Sequence, residues 1–224
     1  MQTQYKINEL FQTIQGEGSY TGTPSIFLRL QGCPVGCAWC DTKHTWETKP
    51  EMQQSAAEII LKTQDTETWC NASVEDILAI FVKEGYTAKH VVITGGEPAM
   101  YDLMELTQAL HANGYSTQIE TSGTFPILVD AQTWVTVSPK VDMKGGYKVL
   151  SEAVLRANEI KHPVAMQKHI DELDALLALG TQAGCLIYLQ PISQQQRATA
   201  LAIDTCIKRN WRLSLQTHKY LGIQ

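Results

Sequence analysis

The feature that most constrains the fold of this chain is an alternation between short β-rich runs and amphipathic helical runs. From about residue 24 onward, the β-rich runs lie at residues 25–31, 90–95, 116–122, 133–139, 158–164, 185–191 and 211–217. Apolar residues at helical spacing lie between them, at residues 74–85, 100–114, 147–157, 168–180 and 195–210. This order predicts about five or six β-α units around a mostly parallel sheet, fewer than the eight of a closed barrel. We therefore expect an open or partial β/α barrel.

The domain organisation follows from length and composition. The chain has 224 residues, of which 44% are hydrophobic and 18% are charged, which is ordinary for a globular protein. We predict a single domain over residues 1–224. Residues 42–71 break the β-α rhythm and contain one plausible helix, at 55–64. We expect this segment to be an insertion that follows a cysteine-rich loop.

The charge and hydropathy of the chain exclude some partners. A formal net charge of -5 offers no general attraction to phosphate backbones or to anionic membranes. The N-terminus has no basic region followed by an apolar stretch, and no segment approaches the roughly 20 apolar residues of a membrane helix. We expect a cytoplasmic protein that binds neither nucleic acid nor membranes.

Polar motifs follow each of the predicted strands. Ligands of parallel β-α proteins collect at the carboxyl ends of the strands, so these motifs are expected to meet in one site. The motifs are GCPVGCAWC at 32–40, TGGEP at 94–98, ETSGT at 120–124, SPK at 138–140, KHP at 161–163, QPIS at 190–193 and THKY at 217–220.

Three of the six cysteines, Cys33, Cys37 and Cys40, fall within eight residues, and the other three stand apart. In a cytosolic chain such a cluster indicates a metal or redox site, and thiolates suit zinc, copper(I) and iron-sulfur clusters. Residue types alone leave several interpretations open. They are a zinc site completed by His44, a thioredoxin-like pair of Cys37 and Cys40, a four-cysteine cluster that includes Cys70, and a three-cysteine cluster with one open iron.

The spacing Cys33-x3-Cys37-x2-Cys40, with Trp39 before the last cysteine, resembles the signature loop of radical S-adenosylmethionine enzymes. A GGEP stretch at 95–98 follows the next predicted strand and resembles the turn of that superfamily that contacts the methionine amino group. The resemblance implies a [4Fe-4S] cluster held by the three thiolates. It also implies that S-adenosylmethionine chelates the open iron and is cleaved to a 5'-deoxyadenosyl radical, so the cofactors carry the difficult chemistry.

The GGEP stretch also has a direct chemical interpretation. Gly95 and Gly96 would let the backbone approach a ligand closely, and the Glu97 carboxylate is a suitable acceptor for an ammonium group. Taken alone, the motif would favour a strand-to-helix turn with Glu97 in the first helical turn. Its position one β-α unit after the cysteines favours the ligand interpretation.

Longer runs extend the resemblance over essentially the whole chain, to the 7-carboxy-7-deazaguanine synthase family. These runs are NELFQTIQGEG, PSIFLRLQGCPVGCAWCDT, HVVITGGEP, QIETSGT, WVTVSPK, NEIKHPV, LQPIS and NWRLSLQTHKYL. The resemblance implies a carbon-nitrogen lyase of queuosine biosynthesis that contracts the ring of 6-carboxy-5,6,7,8-tetrahydropterin with loss of ammonia. It also implies assistance by Mg²⁺, electron donation by a flavodoxin or ferredoxin, and a homodimer.

The family resemblance implies roles for individual residues. Those matching substrate contacts are Ile14, Gln15, Gly16, Glu17, Arg29 and Thr94. Those matching S-adenosylmethionine contacts are Gly96, Glu97, Ser138, Pro139, Lys140, Gln190, Pro191, Ile192 and Ser193. Thr42 matches a hydroxyl that contacts Mg²⁺.

Several of these residues have structural alternatives. Without the family match, the QGEG stretch at 15–18 would be interpreted as a polar turn. Arg29 lies in an apolar run, where an unpaired guanidinium is costly to bury. Either the substrate carboxylate or an internal acidic side chain would satisfy it, and the sequence does not choose between them. Thr42 suits the oxygen preference of Mg²⁺, but Thr42 or Asp41 would also serve as a helix N-cap.

Two other functions remain open from the residues. One is a radical activase that acts on a protein partner, and the other is a non-enzymatic zinc-stabilised α/β protein. Among the histidines, His44 and His218 lie in segments that face the predicted site. For most of the other four we predict solvated or capping roles.

Overall fold

The strands of the described residues form one nine-stranded sheet in the order β3-β1-β2-β4-β5-β6-β7-β8-β9. The structure is a computed structural model that describes residues 2–192 and 195–223. The strands are β1 (Tyr5–Ile14), β2 (Pro24–Leu30), β3 (Cys70–Ala72), β4 (His90–Gly95), β5 (Ser116–Thr121), β6 (Trp134–Val137), β7 (Glu159–Val164), β8 (Leu186–Pro191) and β9 (Arg212–Leu213).

Helices connect most of these strands. They are α1 (Ala56–Ile60), α2 (Val74–Lys83), α3 (Met104–Ala112), α4 (Ser151–Arg156), α5 (Gln167–Leu177), α6 (Gln196–Arg209) and α7 (Thr217–Leu221). Local sequence explains where α2 begins: the Ser73 hydroxyl accepts a hydrogen bond from the Asp76 amide, and the Asp76 carboxylate accepts one from the Ser73 amide. Within the described ranges, no helix combines the length and the apolar character that crossing a membrane requires.

The sheet is mostly parallel, and the predicted open β/α architecture is confirmed. Strands β2 and β4 to β9 pair in parallel, whereas β1 pairs antiparallel with β2 and β3. All seven predicted strands are present, but the last is only Arg212–Leu213 instead of residues 211–217. It is short because the chain turns into α7, which begins at Thr217.

The antiparallel strands β1 and β3 were not predicted from the sequence. The pairing of β1 with β2 shifts register between Ile7 and Glu9, so the two-residue alternation that identifies a strand is interrupted there. Asn8 and Glu9 are also buried polar residues, which obscures the apolar pattern. The last two residues of the 42–71 segment belong to β3, since Cys70 pairs with Ile7 at the edge of the sheet.

The two faces of the parallel strands differ in chemistry. One face packs against the helices and is apolar, with Leu28, Ile93, Ile119, Val137 and Ile160 fully buried. The side chains that alternate with them face the interior, and they are Arg29, Thr94, Glu120, Lys161 and Gln190. A polar interior on an open barrel indicates a ligand site rather than a packed core.

The segment after β1 crosses the interior and ties distant strands together. The Thr217 amide donates to the Gly16 carbonyl at 3.0 Å, which connects this segment to the start of α7. The Ser19 amide donates to Glu159 Oε2 at 2.9 Å, which connects it to β7. These contacts bring the two sides of the open sheet towards each other around the interior.

Glu159 yields a prediction about stability. The residue is 0% exposed, and within the described chain its Oε1 has no hydrogen-bond partner. Burial raises the pKa of this carboxyl above its ordinary value of 4.5. The folded state therefore binds the proton of Glu159 more tightly than the unfolded state does. The contribution of this group to the free energy of unfolding is lost as the pH rises from about 4.5 through the raised pKa.

We therefore expect Glu159→Gln, which mimics the protonated acid, to have a higher melting temperature than the wild type at pH 8. The difference should vanish at about pH 4, where both proteins carry a neutral side chain here. Thermal denaturation as a function of pH measures this. A variant that is equally destabilised at both pH values would contradict the assignment.

Candidate active site

A cavity of about 340 Å³ opens at the carboxyl ends of the parallel strands. It brings together the cysteine loop, the GGEP turn and the segment after β1, as expected for a parallel β-α fold. The predicted site residues that line it are Ile14, Gln15, Gly16, Glu17, Arg29, Cys33, Cys37, Cys40, Thr42, Thr94, Gly96, Glu97, Ser138, Lys140, Gln190, Pro191 and Ile192.

Among the predicted site residues that the structure describes, Pro139 is not in this lining. Pro139 lines a neighbouring cavity of about 160 Å³, which also contains His162 and shares Trp39 and Pro163 with the main cavity. The backbone after β6 therefore runs between the two cavities. Ser193 lies outside the described residues.

The histidines differ from the sequence-based prediction in two cases. A solvated or capping role is wrong for His90 and His162, which are each 3% exposed. His90 hydrogen-bonds Ser116 and Gln118, whereas neither ring nitrogen of His162 has a partner within the described ranges. Burial lowers the pKa of His162 to about 4, so its ring is neutral at physiological pH.

The cysteine loop is held by backbone hydrogen bonds to the segment that follows it. The Cys33 amide donates to the Trp46 carbonyl at 3.0 Å. Cys37 is buried, whereas Cys33 and Cys40 are half-buried. Burial raises the pKa of Cys33 to about 11 and also raises that of Cys37. In the ligand-free protein these thiols are protonated, so metal binding must displace protons.

The three sulfur atoms are not arranged as ligands of one tetrahedral zinc ion. A tetrahedral zinc site, with Zn–S bonds of about 2.3 Å, places its sulfur atoms about 3.8 Å apart. Among the described residues, the three cysteines do not form a set whose sulfur atoms all lie within 4.8 Å of one another. At least one of the three sulfur–sulfur separations is therefore larger than a single tetrahedral zinc ion would impose.

No fourth cysteine reaches the cavity from the described chain. Cys70 lies in β3, Cys185 precedes β8 and Cys206 lies in α6. His44, the proposed fourth zinc ligand, instead groups with Glu9 and Asp65. The donor set is thus three thiolates, which leaves one iron of a [4Fe-4S] cluster without a protein ligand.

The glycines of the GGEP turn pack against the cysteine loop. The Gly96 amide donates to the Leu30 carbonyl at 2.9 Å, and the Glu97 amide donates to the Gly32 carbonyl at 2.8 Å. A Cβ atom on Gly96 would lie 2.2 Å from the Gly32 carbonyl oxygen. Close approach of the two loops therefore requires glycine at position 96, a reason that the sequence did not reveal.

Glu97 anchors this turn from inside the protein. It is 1% exposed, and its carboxylate accepts hydrogen bonds from the Ala99 amide at 3.0 Å and the Thr121 hydroxyl at 2.5 Å. The amide and hydroxyl of Ser122 also donate to it. Both oxygen atoms are thus engaged by the protein, and the bond from Ala99 shows that Glu97 also caps the short helical turn Pro98–Met100.

Arg29 pairs with an internal acidic side chain, which is one of the two partners the sequence left open, and it also lines the cavity. Its Nε donates to Glu9 Oε2 at 2.7 Å, so an internal acid does pair with it. The described residues offer no hydrogen bond to its two terminal nitrogens. The ion pair orients the guanidinium and leaves its two terminal nitrogens available to a carboxylate ligand.

Thr42 lies beside the cysteine loop, and its hydroxyl does not cap a helix. It precedes the short helical turn Lys43–Thr45, but its side chain makes no capping hydrogen bond. The hydroxyl lies 3.6 Å from Cys40 Sγ. The side-chain N-cap that the sequence allowed is therefore absent at this residue.

Lys140 places a positive charge beside the cysteine loop. Its Nζ donates to Ser138 Oγ at 2.6 Å and to the Ser138 carbonyl at 3.1 Å. Burial lowers the pKa of this lysine, and the nearby Cys37 partly offsets that effect. A half-buried cation without a carboxylate partner among the described residues suits an anionic group of a bound ligand.

Sequence reasoning placed Lys161 in the KHP motif expected at the site but assigned it no role. Lys161 Nζ contacts both Glu17 and Glu120 inside the cavity. The signal was present in β7, where Glu159 and Lys161 alternate with the apolar Ile160. Two charged residues on one face of a buried strand indicate a polar interior.

Comparisons with known proteins agree with this geometry. The family model described as "Radical SAM superfamily" matches residues 28–142. The chain is 61% identical over 221 residues to 7-carboxy-7-deazaguanine synthase of Escherichia coli K12, covering 98% of this chain and 99% of that protein. It is 51% identical to the protein of the same name from Buchnera aphidicola, with the same coverage. The crystal structure of QueE from Escherichia coli matches with a TM-score of 0.93 and 60% identity, covering 95% of this chain and 94% of that one.

The open sheet, the three-cysteine loop and the family match define a radical S-adenosylmethionine enzyme. Within that superfamily the chain belongs to the 7-carboxy-7-deazaguanine synthase family. The family predicted from the sequence is confirmed, and membership implies a [4Fe-4S] cluster and S-adenosylmethionine as cofactors. The zinc-stabilised, non-enzymatic alternative is wrong.

Proposed function

We propose that this chain converts 6-carboxy-5,6,7,8-tetrahydropterin to 7-carboxy-7-deazaguanine and ammonia in queuosine biosynthesis. The observation that carries the proposal is the cavity of about 340 Å³, in which the cysteine loop meets polar groups suited to a small carboxylated heterocycle. The high identity to synthases of that name over nearly the whole chain supports the same substrate.

The cysteine loop and the ends of β6 and β8 would hold the cofactors. Cys33, Cys37 and Cys40 would bind the cluster, and Gly96, Glu97, the residues 138–140 and the residues 190–193 would surround S-adenosylmethionine. When bound, the cluster and S-adenosylmethionine supply the radical chemistry that removes a hydrogen atom from the substrate. The Lys140 ammonium would attract the carboxylate of S-adenosylmethionine.

The opposite side of the cavity would bind the substrate. Arg29, oriented by Glu9, would take the substrate carboxylate with its terminal nitrogens. Ile14, Gln15, Gly16, Glu17 and Thr94 would contact the ring system. Holding the reacting C–H bond at a fixed distance is the main task of these residues, because positioning can contribute several kcal/mol to a rate.

Mg²⁺ would bind between the substrate and Thr42. A hard cation prefers oxygen ligands and keeps several waters, so one hydroxyl plus substrate oxygens is a sensible set. The Thr42 hydroxyl, which caps no helix and contacts Cys40 Sγ at 3.6 Å, supports this position.

We expect Thr42→Val to raise the Mg²⁺ concentration for half-maximal activity by about 10-fold or more, because the variant keeps the shape but loses the oxygen. Thr42→Ser retains the hydroxyl and is the matched control. Product formation during Mg²⁺ titration measures the effect. Identical Mg²⁺ dependence in Thr42→Val and the wild type would contradict the assignment.

Several broader features complete the proposal. We propose that residues 1–224 act as one radical S-adenosylmethionine domain, with residues 42–71 as an insertion near the cluster. We also propose that the enzyme is a cytoplasmic homodimer and that a flavodoxin or ferredoxin supplies its electrons. These features follow the family resemblance and fit the acidic chain, whose net charge of -5 disfavours nucleic acid.

An anaerobic product assay tests the function. The reconstituted protein is incubated with S-adenosylmethionine, Mg²⁺, reductant and carboxytetrahydropterin, and 7-carboxy-7-deazaguanine is the expected product. S-adenosylmethionine cleavage without any deazaguanine would instead favour the radical activase. The polar cavity of about 340 Å³ fits a small molecule, which argues against the activase.

A further inference from the structure

A buried lysine connects two carboxylates at the centre of the cavity. The Lys161 side chain is 4% exposed, and its Nζ lies 2.5 Å from Glu17 Oε2 and 2.9 Å from Glu120 Oε2. All three residues line the cavity. The proposed function assigns no role to Lys161: it does not bind the iron-sulfur cluster, S-adenosylmethionine or the substrate carboxylate.

Side-chain amides fix the second oxygen of each carboxylate. Gln15 Nε2 donates to Glu120 Oε1 at 3.0 Å, and Gln118 Nε2 donates to the same atom at 3.3 Å. Gln216 Nε2 donates to Glu17 Oε1 at 2.8 Å. Each carboxylate is thus held by an amide that is more than 100 residues away in the chain, Gln15 for Glu120 and Gln216 for Glu17, so its orientation is fixed before any ligand binds.

Lys161 reduces the net negative charge of the group formed by Glu17, Glu120 and Lys161. Two carboxylates and one ammonium give the cluster a net charge of -1. Without the ammonium, two carboxylates in one buried site would not both ionise near neutral pH. Burial acts to raise the pKa of Glu17, but the charge and hydrogen bond of Lys161 and the hydrogen bond of Gln216 hold it at about 2. The two carboxylates raise the pKa of Lys161 against the effect of its burial.

The other charged groups around the cluster do not replace Lys161. His218 of α7 acts on Glu17 electrostatically, and Lys140, which follows β6, interacts electrostatically with both Cys37 and Glu17 but forms no ion pair with either carboxylate of the cluster. Glu159, on the same strand as Lys161, has a raised pKa and adds no compensating positive charge. Within the described chain, Lys161 is the cation that contacts both carboxylates.

We propose that Lys161 is a positioning residue that keeps Glu17 and Glu120 as a rigid pair of anionic acceptors for the N–H donor edge of the substrate. The pyrimidine half of a pterin presents an amino group and a ring N–H side by side, which suits carboxylate acceptors. Arg29 would bind the carboxylate at the other end. This inference rests on the proposed function and adds a determinant of substrate specificity to it.

The test compares Lys161→Met with the double variant Lys161→Met/Glu17→Gln. The single variant leaves two carboxylates without their cation, so one of them should titrate within the assay range. We expect its KM for carboxytetrahydropterin to rise by about 10-fold or more and to change with pH between about pH 6 and 9. The wild-type KM should be nearly flat over that range, and S-adenosylmethionine cleavage should be retained.

The double variant separates charge balance from simple structural support. Removing one carboxylate together with the ammonium restores the net charge of -1, so the pH dependence should disappear and part of the affinity should return. A single variant with the wild-type pH profile, or a double variant no better than the single one, would overturn the proposal. Lys83→Met removes a surface lysine whose side chain is 70% exposed and is the matched control.

Stability without substrate gives a measurement that does not depend on the reaction. In Lys161→Met, the folded-state pKa of the carboxylate pair should be raised, so the melting temperature should fall as the pH rises above about 5. The melting temperature of the double variant should fall less over the same pH range. If the wild type forms no deazaguanine but these stability profiles are as expected, the proposed substrate is wrong and the charge role of Lys161 stands. Parallel stability profiles in all three proteins would refute that role.

Discussion

Replacing Cys37 with alanine is expected to abolish both cluster binding and activity. The described residues offer three cysteines to the cavity, so loss of one leaves two thiolates, too few to hold a [4Fe-4S] cluster with an open iron. Activity should fall by at least roughly three orders of magnitude, because the cofactors carry the difficult chemistry. Iron and sulfide analysis after anaerobic reconstitution, together with visible absorbance, measures cluster binding.

Cys185→Ala is the matched control for this prediction. Cys185 is a half-buried free cysteine that lies just before β8, away from the cavity. The variant should bind iron and sulfide like the wild type. Full cluster content in Cys37→Ala would contradict the assignment, as would loss of the cluster in Cys185→Ala. Zinc in place of iron and sulfide in the reconstituted wild type would also contradict it.

The second large effect is expected for Arg29→Ala. The variant should bind carboxytetrahydropterin about 100-fold more weakly or worse, because two charge-assisted hydrogen bonds to the substrate carboxylate are lost. Substrate-independent cleavage of S-adenosylmethionine should be largely retained, because Arg29 lies on β2 outside the cysteine loop. Measuring KM for the substrate and the rate of this abortive cleavage separates the two effects.

The ion pair with Glu9 makes controls necessary. Removing Arg29 leaves Glu9 without its partner, and a buried unpaired carboxylate destabilises the fold. The double variant Arg29→Met/Glu9→Gln removes both charges and should keep the fold while still failing to bind substrate. Loss of S-adenosylmethionine cleavage along with substrate binding would show that Arg29 is structural. Glu9→Gln alone, with Arg29 intact, should retain most of the substrate affinity.

The structure changed the interpretation of three residues, Arg29, Gly96 and His162. For Arg29 the sequence left two partners open, and the structure shows the internal one while leaving the terminal nitrogens to a ligand. For Gly96 the sequence suggested close approach to a ligand, whereas the structure shows close approach to Gly32. His162 had no distinguishing context in the sequence, yet it is buried beside the second cavity.

The sequence by itself determined the class of protein and the location of its site. Strands and helices depend on periodic patterns within about a dozen residues, so the seven parallel strands were predictable. The cysteine loop and the GGEP stretch are also local, and their chemistry follows from their residue types. Because carboxyl ends of parallel strands share one edge of a sheet, the meeting of these motifs in one cavity was predictable too.

The tertiary structure alone decided which side chains meet. Glu17 and Lys161 are 144 residues apart, and Gln216 reaches Glu17 across 199 residues. Such contacts depend on how far the sheet curves and on how the segment after β1 crosses its interior, and no local pattern encodes either. The irregular pairing of β1 was hidden for the same reason, because a bulge is stable only when its partner strand is in place. The cysteine loop is a local motif that the sequence shows directly. The contacts of Lys161 with Glu17 and Glu120 join residues far apart in the chain, so only the fold creates them.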